Sequence, residues 1–257
     1  MSHHLVEVQG LHFTYPDGVE ALHDVSFRAG HGEAVALVGG NGAGKSTLLQ
    51  HLNGHLPAQR GRVVIGDTVV TPRTATLARR AIGMVFQDPD DQLFMPTVAD
   101  DVAFGPLNAG LPPDQVEDRV AQALARVGMS HVRARPPYRL SAGEKRAVAI
   151  ATVLAMAPDI LVMDEPSANL DPRARRRLID LLRSFDHTRI IATHDLELVV
   201  EVCPRVIVLD GGRVVADGPT EEILGDEALM LAHGLERPHI LGHPHPHACG
   251  TTRPAPA

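Results

Sequence analysis

Cysteine is nearly absent from this chain of 257 residues, which has only Cys203 and Cys249. Two thiols make neither a disulfide framework nor a metal site, and they fit a reducing cytosol. Positive charge is also short. Lys and Arg number 24 against 31 Asp and Glu, a net charge of −7, which argues against a nucleic-acid backbone as the main partner. Long apolar runs are missing too. The longest, Ala147 to Ala157, is interrupted by Thr152 and falls short of a bilayer core of about 30 Å. The first seven residues, Met1 to Glu7, lack the basic and apolar regions of a signal peptide. No internal repeat is visible. What remains is an ordinary globular composition, 44% hydrophobic and 21% charged, enough for one large domain or two small ones. If such a chain works at a membrane, it does so through a partner.

Glycine, by contrast, is concentrated. Gly39-Gly40-Asn41-Gly42-Ala43-Gly44-Lys45-Ser46-Thr47 fits G-x-x-x-x-G-K-[S/T]. A buried strand is predicted before it (Glu33 to Val38) and a helix after it (Thr47 to Leu52), the context that gives the motif meaning. Gly39, Gly40, Gly42 and Gly44 allow backbone N–H groups to approach phosphate oxygens without Cβ clashes. Lys45 is placed to reach the β- and γ-phosphates, and the Ser46 hydroxyl to ligate Mg²⁺.

Around this loop, strands are predicted at Leu5 to Tyr15, Ala21 to Phe27, Ile82 to Gln87, Asp159 to Asp164 and Arg189 to Thr193. Hairpins are predicted at Arg62 to Val70, turning at Gly66-Asp67, and at Arg205 to Ala216. Helices are predicted at Gln115 to Val127, Glu144 to Met156, Pro172 to Phe185 and Leu196 to Cys203. Apolar Ile/Leu/Val runs alternating with helices imply an α/β fold with a mostly parallel sheet covered on both faces. The helical block from Asp88 to about Arg139 reads as an insertion in that alternation. After about Leu235 the composition turns to Pro, His and Gly, and an unstructured tail is expected.

The strand Ile160 to Asp164 ends in two carboxylates, and strand ends in such sheets deliver residues to the ligand crevice. Asp164 suits the Mg²⁺ shell, and Glu165 suits a general base for the attacking water. Gln87, at another strand end, is a candidate for the metal or the water, and His194 for the γ-phosphate.

Leu140-Ser141-Ala142-Gly143-Glu144-Lys145-Arg146 resembles the LSGGQ signature of ATP-binding-cassette (ABC) ATPases. With the phosphate loop, Gln87, Asp164-Glu165, Ser167 to Asp171 and His194, the set resembles that family in order and spacing over residues 5–235. The resemblance implies a P-loop cassette on residues 1–235, with a mostly parallel core sheet, an antiparallel β subdomain and a helical subdomain at about 88–145. Residues 236–257 would be a flexible His/Pro-rich tail. It implies ATP and Mg²⁺ as cofactors, bound by Asn41, Gly42, Ala43, Gly44, Lys45, Ser46 and Thr47, with Tyr15 stacking on adenine. It further implies a head-to-tail dimer in which Ser141 and Gly143 contact nucleotide held by a second cassette subunit. Asp171 would link the two sites. Three positions depart from the family pattern: Gly40 where proline is common, Ala142 for glycine, and Glu144 for glutamine.

Val85 to Pro106 resembles the ATPase subunits of energy-coupling-factor importers, where this region forms a groove for a transmembrane coupling subunit. Asp88, Asp90, Asp91, Asp100 and Asp101 would give that groove an acidic lining for partner arginines. The resemblance places the chain at the cytoplasmic face of the cell membrane, held by the coupling subunit and a substrate-binding membrane subunit. His233, His239, His243, His245 and His247 resemble the tails of the cobalt and nickel members, and imidazole suits such ions. The sequence leaves a vitamin importer open. It disfavours a soluble cassette of DNA repair or translation, which would bring coiled coils or tandem cassettes.

Overall fold

A computed structural model describes residues 6–242, so His243, His245 and His247 lie outside the described residues. The chain opens with the antiparallel pair β1 (Val6–Thr14) and β2 (Glu20–Ala29), then enters the five-residue β3 (Ala34–Val38), every residue of which is buried. The phosphate loop follows and leads into α1 (Lys45–Leu52). Next come the hairpin β4 (Arg60–Ile65) and β5 (Thr68–Val69), the short α2 (Ala75–Ala81), and β6 (Ile82–Val85). Three helices succeed them: α3 (Val98–Asn108), α4 (Pro113–Arg126) and α5 (Ala142–Leu154). Strand–helix alternation then resumes with β7 (Ile160–Asp164), α6 (Pro172–Arg183), β8 (Thr188–Ala192) and α7 (Leu196–Val202). The hairpin β9 (Arg205–Asp210) and β10 (Arg213–Pro219) precedes α8 (Thr220–Gly225), α9 (Glu227–Ala232) and α10 (His239–Gly242).

These strands make two sheets. One is antiparallel, in the order β2-β1-β4-β5; the other runs β10-β9-β3-β8-β7-β6, parallel except for β10. Alternate side chains of the central sheet feed two separate cores, as the period of a strand requires. Val35, Leu37, Val162 and Ile190 pack with α1 and the antiparallel sheet. Ala36, Val38, Leu161, Met163 and Ile191 pack against the helical side, with Val148, Ile179 and Val199. The phosphate loop at the end of β3 and the carboxylates at the end of β7 therefore emerge from the same buried sheet.

Helix α4 shows the predicted stripe, with Val116, Val120 and Leu124 buried against α3 and α5. Helix α5 belongs to both parts of the fold, since it packs on α3 and α4 and also on β6. Two expectations need correction, and one helix is added. Strand β6 stops at Val85, so Gln87 lies in the following loop rather than ending the strand. Helix α2 was not foreseen, because only Ala75 and Ala78 of its seven residues are buried and the apolar stripe is faint. The tail expected to lack structure from about Leu235 still forms α10, whose Leu241 packs on the core beside buried Leu235.

Candidate functional site

The sheet edge brings the phosphate loop and the two carboxylates into one cleft of about 350 Å³. Its walls are Tyr15, Asn41, Gly42, Ala43, Gly44, Lys45, Ser46 and Thr47, with Gln87, Asp164 and Glu165 opposite. Glycine is required at two points of the loop. A Cβ on Gly39 would stand 2.1 Å from the Leu209 carbonyl oxygen, and one on Gly44 (φ +100°) would stand 2.6 Å from that of Ala21. Gly44 turns the chain into α1 without a side-chain cap, so the first N–H groups of the helix stay free for an anion. Lys45 is buried and arches over the loop, its Nζ donating to Gly39 O at 2.8 Å and Gly40 O at 3.1 Å. Half-buried Tyr15 donates or accepts a hydroxyl bond with Thr47 Oγ1 at 3.0 Å, and its ring meets Phe13 edge-on.

Asp164 is 5% exposed, and burial raises its pKa above the ordinary carboxylate value, opposed by a hydrogen bond with Ser46. Its Oδ1 is buried and has no partner among the described residues. An orphaned carboxylate oxygen beside a serine hydroxyl, with the Gln87 amide lining the same cleft, is an oxygen donor set that fits Mg²⁺. Glu165 adopts φ +46°, a left-handed backbone that costs a non-glycine residue roughly 1–3 kcal/mol. That turn directs the carboxylate onto the end of β8. Glu165 Oε2 accepts from Thr193 Oγ1 at 3.0 Å and His194 N at 3.2 Å, and the His194 ring lies against the same oxygen, its Nδ1 2.8 Å away, so two donors fix one oxygen. His194 is thus paired with Glu165, its ring 69% exposed. Thr193, fully buried, is a functional candidate that sequence reading passed over; its place directly before His194 was the available signal.

Ser141 and Gly143 are not in this cleft. They lie at the N-terminus of α5, where Ser141 accepts from Glu144 N at 3.3 Å and Ser141 N donates to Glu144 Oε2 at 2.8 Å. This capping box accounts for glutamate at position 144 and, chiefly through the Ser141 N–H, lowers the Glu144 pKa. Ser141 and Ala142 are exposed, and within one chain they face no phosphate loop. Asp171 caps α6, accepting from Arg173 N and Ala174 N.

The acidic stretch is more structural than expected. Asp101 is 3% exposed and accepts the N–H groups of Phe94 and Met95, so it cannot line a groove. Asp90 already holds Lys145 at 2.6 Å, Asp88 accepts from Asp90 N, and Asp100 accepts the Thr97 hydroxyl. Asp88, Asp90 and Asp91 do stay exposed and line a groove with Lys145, and beside them the region exposes an apolar set: Phe94 (62%), Leu107 (55%) and Phe104 (42%), the two rings 5.0 Å apart. His233 bonds Asp210 at 2.8 Å, so it is occupied within the fold rather than available with the tail histidines. Cys203 is a buried thiol pushed up to about 12, and inert.

A family described as ABC transporter matches residues 22–168, more than half of the chain. The chain belongs to the ABC transporter ATPases. A putative ABC transporter ATP-binding protein of Geobacter sulfurreducens is 64% identical, over 93% of this chain and 96% of its own length. An energy-coupling factor transporter ATP-binding protein, EcfA, of Methanothermobacter thermautotrophicus is 46% identical over 91% of this chain and 77% of its own. Among solved structures, cbiO1 of Clostridium perfringens, part of the ABC transporter complex cbiONQ, superimposes with a TM-score of 0.79. It is 39% identical and covers 94% of this chain and 98% of its own. The chain is accordingly the ATP-binding, ATP-hydrolysing subunit of an ABC transporter of the energy-coupling-factor kind. No helix among the described residues is long and apolar enough to cross a membrane.

Proposed function

We propose that this ABC ATPase powers import of a transition-metal ion, nickel or cobalt, as one of two cassettes beneath a membrane complex. Within each cleft, Lys45 and the loop N–H groups hold the phosphates, and Ser46, Asp164 and Gln87 hold Mg²⁺. The metal, when bound, supplies charge neutralisation on the transferred phosphate. Glu165 takes the proton of the attacking water through Oε1, the oxygen that Thr193 and His194 leave free. Ser141 and Gly143 sit away from their own cleft, and this separation supports a site completed by a second subunit's signature, most simply in a homodimer. Phe94, Phe104 and Leu107 form an exposed apolar face suited to the transmembrane coupling subunit, which would also keep the chain at the cytoplasmic face of the membrane. The substrate class rests on a single observation, the histidines His239, His243, His245 and His247, separated by Pro and other non-ligands.

Uptake of radiolabelled Ni²⁺ or Co²⁺ by cells carrying this chain with its membrane partners tests the reading. Uptake should vanish with Lys45→Ala. Uptake that survives Lys45→Ala, or is competed by riboflavin or biotin and not by metals, overturns the metal assignment.

A further inference from the structure

The loop after β6 is stitched to the signature helix. Arg146 of α5 donates Nη1 to Phe86 O at 2.7 Å and Nη2 to Gln87 O at 2.5 Å. Gln92 Nε2 donates to Ala149 O at 2.8 Å and Thr152 Oγ1 at 2.7 Å, while Gln92 Oε1 accepts Phe86 N at 3.3 Å. Lys145 meets Asp90 at 2.6 Å, with the aspartate side chain 63% exposed, and a solvated pair of this kind holds little. Arg146 is different. It is 3% exposed, its fork spans two successive carbonyls, and its Nε is buried without a partner among the described residues. Burying a guanidinium carries a desolvation cost, which its two carbonyl bonds offset in part. What only the planar fork supplies is register, because it fixes two consecutive backbone oxygens relative to one helix.

That register joins two places. Gln87 lines the cleft with Asp164 and Glu165, and α5 begins at Ser141-Ala142-Gly143, one turn before Arg146. We propose that Arg146 is a positioning residue for ATP hydrolysis, clamping Gln87 to the signature helix so that the groups serving a subunit's own nucleotide and those serving its partner's move as one body. The own-site half of this stands without a dimer; the partner half rests on the two-subunit reading above.

The test uses the full chain with Arg146→Met, which keeps the stem, and Arg146→Lys, which can reach one carbonyl at a time. Fluorescent MANT-ATP binding, steady-state ATPase kinetics and melting temperature are measured for each. For Arg146→Met, MANT-ATP affinity and KM should stay within about threefold while kcat falls about 100-fold, the scale of a misplaced reacting group. Its melting temperature should fall as the two charged bonds are lost, so kinetics are read well below it, and Arg146→Lys should recover part of kcat. In a Glu165→Gln background, Arg146→Met should raise the ATP concentration that half-saturates dimer formation by about tenfold. The proposal is overturned if Arg146→Met keeps kcat within about twofold of the parent, or if kcat and MANT-ATP affinity fall together at a temperature where the variant is folded. If Glu165→Gln alone fails to dimerise with ATP, the two-subunit reading falls, and the split between kcat and MANT-ATP affinity still decides the role of Arg146.

Discussion

Replacing Asp101 separates a structural carboxylate from a docking one. Its Oδ1 accepts Phe94 N and Met95 N, both at 3.0 Å, and its Oδ2 is buried without a partner among the described residues. Hydrogen bonds to a charged group contribute about 1.5–3 kcal/mol each, so Asp101→Ala, which strips both N–H groups of their acceptor, should cost about 3 kcal/mol or more. At about 2–4 °C per kcal/mol for a domain of this size, the melting temperature should fall by roughly 6–12 °C. Asp101→Asn keeps the accepting oxygen and exchanges a buried charge for a buried amide. The two substitutions should therefore differ sharply.

The pH dependence follows from the same burial. Burial raises the Asp101 pKa above its ordinary 3.8, with the two backbone N–H groups opposing. The folded chain thus holds this proton to higher pH than the unfolded chain does. Below the unfolded value the two states are equally protonated and no penalty exists; stability is lost as pH rises through the folded value. Asp101→Asn has no such penalty, so its melting temperature relative to the parent should climb from about pH 4 upward and then level off. Differential scanning fluorimetry of the three full-length chains from about pH 4 to 8 reads this directly, because every other carboxylate is shared. A flat or falling Asn-minus-parent difference would refute the reasoning, as would Ala and Asn variants of equal stability. Transport supplies the complementary arm: Asp101→Asn should sustain metal uptake, which a carboxylate that grips a partner arginine would not allow.

Three further outcomes follow from the site. Thr193→Val removes the 3.0 Å donor to Glu165 and the acceptor for Asp195 N, and should lower kcat about tenfold with MANT-ATP affinity retained. A parental rate would mean that His194 alone orients the carboxylate. Glu165→Gln should bind ATP yet lose at least about 100-fold in hydrolysis, and should run as a dimer on size exclusion with ATP; a monomer there counts against a site completed by a second subunit. Gly39→Ala places its Cβ 2.1 Å from Leu209 O, whereas Gly40→Ala meets nothing within 4 Å. Melting curves should show Gly39→Ala destabilised by about 1–3 kcal/mol or more and Gly40→Ala within about 1 kcal/mol of the parent.

The chain's nucleotide cleft was legible because its chemistry is local. Gly39 to Thr47 carries its own conformational demand, and Ile160 to Glu165 reads as a buried strand ending in two acids, so one parallel sheet had to bring them together. The boundaries that slipped were those set by tertiary contact. Nothing in the sequence of Phe86-Gln87 says that the strand has ended at Val85, since what holds those carbonyls is a side chain nearly sixty positions away. Asp101 was misjudged for the same reason: five aspartates in one stretch look alike until the chain turn at Phe94-Met95 selects one of them as its acceptor.

Lys145 and Arg146 show where the sequence held more than it first yields. They are adjacent cations on one helix, and composition treats them alike. Helical spacing does not: Arg146 shares its stripe with Ile150 and Val153, both buried, so a charge at that position must bring its own partners into the interior. Lys145 has a carboxylate at the surface, and Arg146 has two backbone oxygens beneath it. A cation on an apolar stripe is costly wherever it occurs, and here it lies between the loop that reaches a subunit's own nucleotide and the helix whose first turn faces away from it. Its two carbonyl bonds offset only part of that cost, whereas a requirement that loop and helix move together gives a further reason to keep it there.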